Sequence, residues 1–383
     1  MSEQIAKQKV RIFVVVHSTQ LLIIQHIRTN GALPKAREFV VWQTVGDPPG
    51  QQEFMQSIIS TAGFDGDLNV RDFLLMRTRT SGALRWVFDS VRSYILDARK
   101  VRQWMRRNNI DANDVELWVD DPIHLPTVFM LGALPAARRI KFPHAFNYDE
   151  DYSPDLKDKV LRPWRNPTWI RRFFQWPLIR LLAGVDLRIA RLRYDAGYTF
   201  HAPSCWSQES RDISALVSAD ALRATFLSLP REVREEFNQL EKQLEYAQRP
   251  LIVLLLFGLD AHPALRPAYE ASVTRILKER RDEIADGSLI VKIHPSARGI
   301  EEEKFFSWLK ENVRQPIFIT KMRLNFEFMG ALVRPDYVLA GPCGALPLVQ
   351  RLATGKPIVL REVMDLFADE PTVAKLVEGM EVW

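Results

Sequence analysis

Three short stretches in the last third of the chain combine residue types suited to holding an anion. Gly258-Leu259-Asp260 follows the apolar run Leu251–Phe257 (LIVLLLF). Lys292-Ile293-His294-Pro295 closes the run that starts at Ser288 (SLIVKI), and Gly341-Pro342-Cys343-Gly344-Ala345 follows Tyr337–Ala340 (YVLA). If the runs are parallel strands, all three stretches open on one edge of the sheet. A small-residue turn entering a helix presents free backbone N–H groups, and the helix dipole adds to their attraction for an anion. A histidine at a strand end beside it can donate a hydrogen bond to a phosphate, or protonate it as it leaves. Pro295 keeps the backbone extended at His294 and so fixes the aim of the ring.

The order of these stretches, and the separation of about 45 residues between His294 and Gly341, match two successive α/β units. The expectation is a diphosphate or nucleoside monophosphate cradle lined by Gly258, Asp260, Lys292, His294, Pro295, Gly341, Cys343, Gly344 and Ala345. Glu327 begins the intervening helix. It suits a ribose diol as a hydrogen-bond acceptor, or it is a first-turn acid favoured by the dipole. Each stretch also has a plainer reading, as loop chemistry for His-Pro and as ordinary capping for the glycine-rich turn.

The elements that must position these residues follow from hydrophobic patterning. Val10–Val16 (VRIFVVV) reads as a buried strand, followed by His17-Ser18-Thr19 and a helix through Leu21, Leu22, Ile24 and Ile27. Further strands are expected at Phe39–Trp42, near Phe73–Met76, at Glu116–Val119 and at Arg139–Phe142, with helices at Glu53–Ala62, Ala83–Arg107 and Pro126–Leu134. The second half repeats the alternation: helices at Glu232–Tyr246, Pro267–Arg281, Glu301–Asn312, Phe326–Val333 and Ala345–Leu352 lie around the runs above and around Ile317–Ile319 and Pro357–Leu360. Alternation of this kind predicts two largely parallel sheets, an α/β chain of two Rossmann-like domains. The division expected is 1–205 for an acceptor-side domain and 206–383 for a nucleotide-sugar domain.

Composition sets limits. With 383 residues, 47% hydrophobic and 26% charged, the chain has the balance of an ordinary globular protein of two domains. The polar start and the short apolar runs predict neither a secretory signal nor a membrane span, hence a cytoplasmic protein. Two cysteines, Cys205 and Cys343, form no disulfide framework. The net charge of +5 is unevenly spread. Residues 161–193 interleave arginines with Trp164, Trp169 and Trp176, a composition suited to peripheral contact with an anionic inner-membrane face, or to a packed hairpin with snorkelling arginines. No nucleic-acid motif accompanies this segment.

The pieces VVVHSTQLLIIQHI, VKIHP, the helix start FEF and LAGPCGALPLVQRLATGKPIV resemble bacterial GT-B sialyltransferases and polysialyltransferases, whose donors are CMP-sialic acid or related CMP-ulosonates. The resemblance implies a GT-B fold with two Rossmann-like domains facing across a cleft. It implies a His-Pro pair, here His294-Pro295, on the CMP phosphate. In that family a serine-rich turn also contacts the phosphate; the corresponding GPCGAL lacks the serine pair, so backbone N–H groups would serve. The family's acidic motif ending in glycine supplies the general base. Here the strand RIKF leads into Pro143-His144-Ala145-Phe146-Asn147-Tyr148-Asp149-Glu150-Asp151, without the glycine.

A base must take the acceptor's hydroxyl proton while the anomeric carbon becomes cationic, and a carboxylate does both jobs. Asp149, Glu150 and Asp151 are the candidates, with His144 as a neutral alternative. The pair Asp120-Asp121 could instead position the acceptor or cap the next helix. No metal-ligand spacing is evident, and a departing nucleoside monophosphate needs little help from one, so neither metal nor cofactor is expected.

The expected function is transfer of a sialic-acid-like (nonulosonic) sugar from a CMP donor to a bacterial surface glycan or a lipid-linked saccharide. The alternatives are a GT-B transferase using a UDP-hexose or CDP-glycerol donor, and a non-catalytic glycan- or membrane-binding assembly protein that kept the fold.

Overall fold

The computed structural model of the chain describes residues 9–16, 18–29, 33–43, 51–74, 83–119, 125–134, 136–142, 194–199, 210–212, 218–256, 258–293, 299–320, 326–369, 373 and 377–383. They fall into two compact units: 1–21, 28–45 and 62–213 form one, and 22–27, 46–61 and 214–383 the other.

The first unit is built on a seven-stranded sheet. Its strands are β1 (Val10–Val15), β2 (Arg37–Trp42), β3 (Gly66–Asn69), β4 (Val115–Val119), β5 (Arg138–Lys141), β6 (Ala196–Thr199) and β7 (Ser210–Asp212), in the order β3-β2-β1-β4-β5-β6-β7. Every pairing is parallel. Along the chain, helices α1 (Ser18–Thr29), α2 (Gln51–Thr61), α3 (Ala83–Arg107) and α4 (Leu125–Ala133) connect the earlier strands, with α2 and the middle of α1 counted in the second unit. All six residues of β1 and all five of β4 are buried, as sheets covered on both faces require. Val101, Trp104 and Met105 of α3 and Phe129, Met130 and Leu131 of α4 form one core with Val10, Ile12 and Val14 of β1.

The second unit carries a six-stranded sheet in the order β10-β9-β8-β11-β12-β13, again wholly parallel. These strands are β8 (Leu251–Leu255), β9 (Ser288–Lys292), β10 (Ile317–Thr320), β11 (Tyr337–Ala340), β12 (Lys356–Val359) and β13 (Glu381–Val382). The helices of five residues or more are α5 (Ala219–Leu227), α6 (Arg231–Leu244), α7 (Leu265–Glu279), α8 (Ile300–Asn312), α9 (Phe326–Val333), α10 (Ala345–Leu352) and α11 (Arg361–Asp365). Tyr269, Val273 and Ile276 of α7 and Phe305 and Leu309 of α8 pack on Ile252, Leu254, Leu289 and Val291. None of the helices among the described residues is long and apolar enough to cross a membrane.

The main strand expectations match the structure to within two residues at each end, with one correction. The strand expected near Phe73–Met76 lies earlier, at Gly66–Asn69, where it pairs with β2 from Phe39↔Gly66 to Trp42↔Asn69. Its sequence, GDLN, has no apolar run because it is a short edge strand, half-covered at best. Phe73 is a core residue for another reason: its ring meets that of Phe129 edge-on at 5.2 Å. Strands β6 and β7 give no apolar signal either, and β6 is anchored by Tyr198 stacked on Trp118 at 5.4 Å.

Candidate functional site

In the second sheet the chain runs outward from β8 through β9 to β10, then returns through α9 to β11 on the other side of β8. This reversal is the topological switch point, and ligands of open α/β sheets bind beyond the carboxyl ends of the strands there. The last row of the ladder fixes what lies at that edge. Thr320 of β10 pairs with Lys292, Lys292 with Leu255, Leu255 with Ala340, and Ala340 with Val359. One residue further the backbone bonds continue: Leu256 N–H donates to Lys292 O at 3.0 Å and Ile293 N–H to Thr320 O at 3.1 Å. The turn at Gly258, the end of β9 and the turn at Gly341 therefore leave the same edge, side by side.

Lys292 is buried, and its ammonium donates to Ile293 O at 3.3 Å. Gly258 opens a single helical turn, Leu259–Ala261, in which Asp260 is exposed. The carboxylate of Asp260 lies over Gly299, so close that a Cβ there would sit 1.1 Å from Oδ2 and the exposed aspartate side chain would have to swing away. Gly299 is the residue before α8, and it is joined to Leu259 through a buried acid that spacing in the sequence did not single out. Glu302, 4% exposed, accepts from Leu259 N–H at 2.7 Å and from Gly299 N–H at 3.1 Å. It thus ties the loop after β8 to the chain returning from the loop after β9. The signal available was half of a capping box, an acid three residues after the helix N-cap. Tyr269 of α7 was also missed; its buried hydroxyl donates to Leu255 O at 3.0 Å and holds the end of β8 from the helix layer.

At the third loop Gly341 and Pro342 are buried, and Cys343, Gly344 and Ala345 are half-buried. Gly344 is the N-cap of α10, and no side chain caps the helix start. Leu346 N–H is taken by Cys343 O at 3.2 Å and Pro347 has no N–H, while the amides of Gly344 and Ala345 have no backbone acceptor among the described residues. Glu327 is the second residue of α9, and its side chain lies outside the described residues. Phe326 beside it is buried, and α9 is held by Arg223 of α5, which donates to Leu332 O at 3.0 Å. His294 and Pro295 also lie outside the described residues; the chain is described up to Ile293 and again from Gly299.

The first sheet has its own switch point, between β1 and β4. His144, Asp149, Glu150 and Asp151 fall outside the described residues, as do Asp120, Asp121 and the segment 161–193. What is described at this edge is polar and buried. Gln20, fully buried in the first turn of α1, accepts from Val16 N–H at 2.8 Å and reaches Phe142 O at 3.5 Å, joining the ends of β1 and β5. Gln43, directly after β2, has a buried Oε1 without a hydrogen-bond partner, and so has the hydroxyl of Thr127 in the first turn of α4. At the opposite edge a charged row crosses the sheet, Glu38–Arg11–Glu116–Arg138, in ladder register. Arg11 is 1% exposed and binds Glu116 at 3.0 Å and Glu38 at 2.5 Å. This row stabilises the sheet and lies far along the strands from the loops just described. Among the described residues no cluster of three metal-ligating side chains occurs.

No family model and no curated protein matches the sequence. Solved structures do match. UGT2 of Phytolacca americana, solved with UDP-2-fluoro-glucose and pterostilbene, aligns over 98% of this chain and 85% of its own, with a TM-score of 0.51 and 8% identity. The fold is GT-B. The GT-B domain of the Photobacterium damselae sialyltransferase aligns with a TM-score of 0.48 and 11% identity over 96% of each chain. UDP-GlcNAc 2-epimerase from Neisseria meningitidis, bound to UDP-GlcNAc, aligns with 0.49 and 10% over 97% of this chain and 94% of its own. At such identities the likeness is one of architecture, and the GT-B fold carries several chemistries.

Proposed function

We infer that the protein is a glycosyltransferase that holds a nucleotide-sugar at the switch point of its second sheet. The observation that carries this reading is the convergence there of three loops on one row of the ladder: Gly258 to Asp260, the end of β9 at Lys292, and the uncapped start of α10 at Gly344 and Ala345. Backbone amides and a helix dipole suit a phosphate at this point.

The donor is a CMP-activated nonulosonic acid, on the strength of the resemblance of VKIHP and LAGPCGAL to GT-B sialyltransferases. In the reaction the bond between the anomeric carbon and the phosphate oxygen breaks, and its electron pair leaves with CMP. His294 hydrogen-bonds the phosphate and protonates it on departure. The acceptor hydroxyl forms the new glycosidic bond, and its proton passes to an acid within Asp149 to Asp151, or to His144. The acceptor is a surface glycan or lipid-linked saccharide at the first sheet, where the unpartnered Oε1 of Gln43 and the hydroxyl of Thr127 would find hydroxyl partners. A monophosphate leaving group lets the step run without metal.

The missing serine pair in GPCGAL favours a second reading, a UDP-hexose or CDP-linked donor. Thermal shift with CMP, CDP and UDP separates the two, because only the true leaving group binds the folded state well. The expected result is a rise in Tm with CMP larger than that with UDP or CDP. A larger rise with UDP or CDP moves the donor to the second reading, and no rise with any nucleotide removes the transferase reading.

A further inference from the structure

Helix α3 is the longest described element, and one of its faces is exposed. Its inward face is Ser93, Asp97, Val101, Trp104 and Met105, all buried. At about 100° per residue the opposite side is an arc of about 80° that holds Phe88, Arg92, Ile95, Arg99, Arg102 and Arg106. Phe88 is 68% exposed and Ile95 43%, and the four arginines are exposed. Acids do not share the arc. Asp97 points inward and accepts from Leu74 N–H at 2.9 Å, and Asp89 lies to the side. Among the described residues no carboxylate pairs with any of these four arginines.

An amphipathic helix of a globular domain puts its apolar side chains inward and its charges outward. Here a phenylalanine and an isoleucine stand in line with the outward arginines. A soluble polyanion would engage the guanidinium groups alone and leave both apolar side chains in water. An anionic bilayer surface engages all six: guanidinium groups meet lipid phosphates while the ring and the branched chain enter the acyl boundary. The stripe is straight, about 27 Å from Phe88 to Arg106, the form of a helix lying in the plane of the interface.

We propose that α3 docks the protein on an anionic lipid surface through Phe88, Arg92, Ile95, Arg99, Arg102 and Arg106. The proposal rests on α3 alone and stands or falls independently of the donor.

Co-sedimentation of the full chain with vesicles tests it, comparing pure phosphatidylcholine with phosphatidylcholine containing about one third phosphatidylglycerol. The wild-type protein binds the anionic vesicles and not the neutral ones. Replacing Arg92, Arg99, Arg102 and Arg106 by Gln weakens that binding by about 100-fold or more, at roughly fivefold per arginine. Replacing Phe88 and Ile95 by Ser weakens it by about tenfold. Thermal melts show whether each variant folds, and the single changes Arg99→Gln and Phe88→Ser replace any multiple variant that does not. Three results overturn the proposal. One is equal binding to neutral and anionic vesicles, and another is an arginine variant that binds like the wild type. The third is loss with the arginine variant but full binding with the Phe88 and Ile95 variant, which makes the stripe a purely electrostatic patch whose apolar side chains do not enter the bilayer.

Discussion

At the scale of single residues, the site is organised by a carboxylate that never needs to touch a ligand. Glu302 gives one oxygen to Leu259 N–H and the other to Gly299 N–H, so two loops from different strands share one buried group. A glutamine has one acceptor oxygen in place of two and turns an amide donor toward the second N–H. Glu302→Gln therefore leaves a buried donor unpaired and costs about 1–3 kcal/mol, measured by denaturant unfolding, and it weakens nucleotide binding in the same protein. Unchanged stability would mean that the two loops are held by other contacts. Glu116 plays a comparable part at the far edge of the first sheet. Burial alone would raise its pKa, but hydrogen bonds from Trp118, Lys9 and Arg11, with the charge of Arg11, outweigh it and bring the value from 4.5 to about 2. A depressed carboxylate stabilises the fold fully above its unfolded value, and that contribution is lost as pH falls from about 4.5 through about 2. It amounts to on the order of 3 kcal/mol. Unfolding measured across this range should show a shallower acid loss in Glu116→Gln than in the wild type, and parallel curves would contradict the assignment.

At the scale of elements, helix α10 brings the glycine-rich turn to the sheet edge, and its two ends are unlike. Its start has no side-chain cap, which suits a ligand, and its end turns through Ala353 at φ +50° and ψ +40°. That left-handed conformation costs an alanine about 1 kcal/mol more than a glycine. Ala353 is exposed, so Ala353→Gly loses no packing and should raise stability by up to about 1 kcal/mol in urea unfolding. A loss would show that the turn gains nothing from glycine. The elements also show where the sequence speaks clearly. LIVLLLF, SLIVKI and VRIFVV are legible because a strand covered on both faces must be apolar throughout, and the loops that follow them were legible as consequences. GDLN, AGYT and SRD were not, since short or edge strands are held by their neighbours rather than by their own composition. Glu302 and Gln20 were passed over for a related reason: each acts across a chain separation that spacing alone does not reveal. An acid in a helix first turn and a glutamine in an apolar one look alike whether or not they clamp a distant loop.

At the scale of the whole molecule, two parallel sheets each reverse direction once, and each switch point has a different character. The second combines amides, a helix start and a buried lysine; the first combines buried polar groups without partners. Under the proposed function that division corresponds to a donor side and an acceptor side, and it makes a regional prediction. Backbone hydrogen exchange of the full chain, with and without saturating CMP, measures it segment by segment. The account predicts slower exchange at 256–261 and 341–346 when CMP is bound, with β1, β2 and β4 unchanged. Slower exchange confined to the first unit, or none anywhere under saturating nucleotide, would contradict the placement of the donor at the edge where β8 and β11 end.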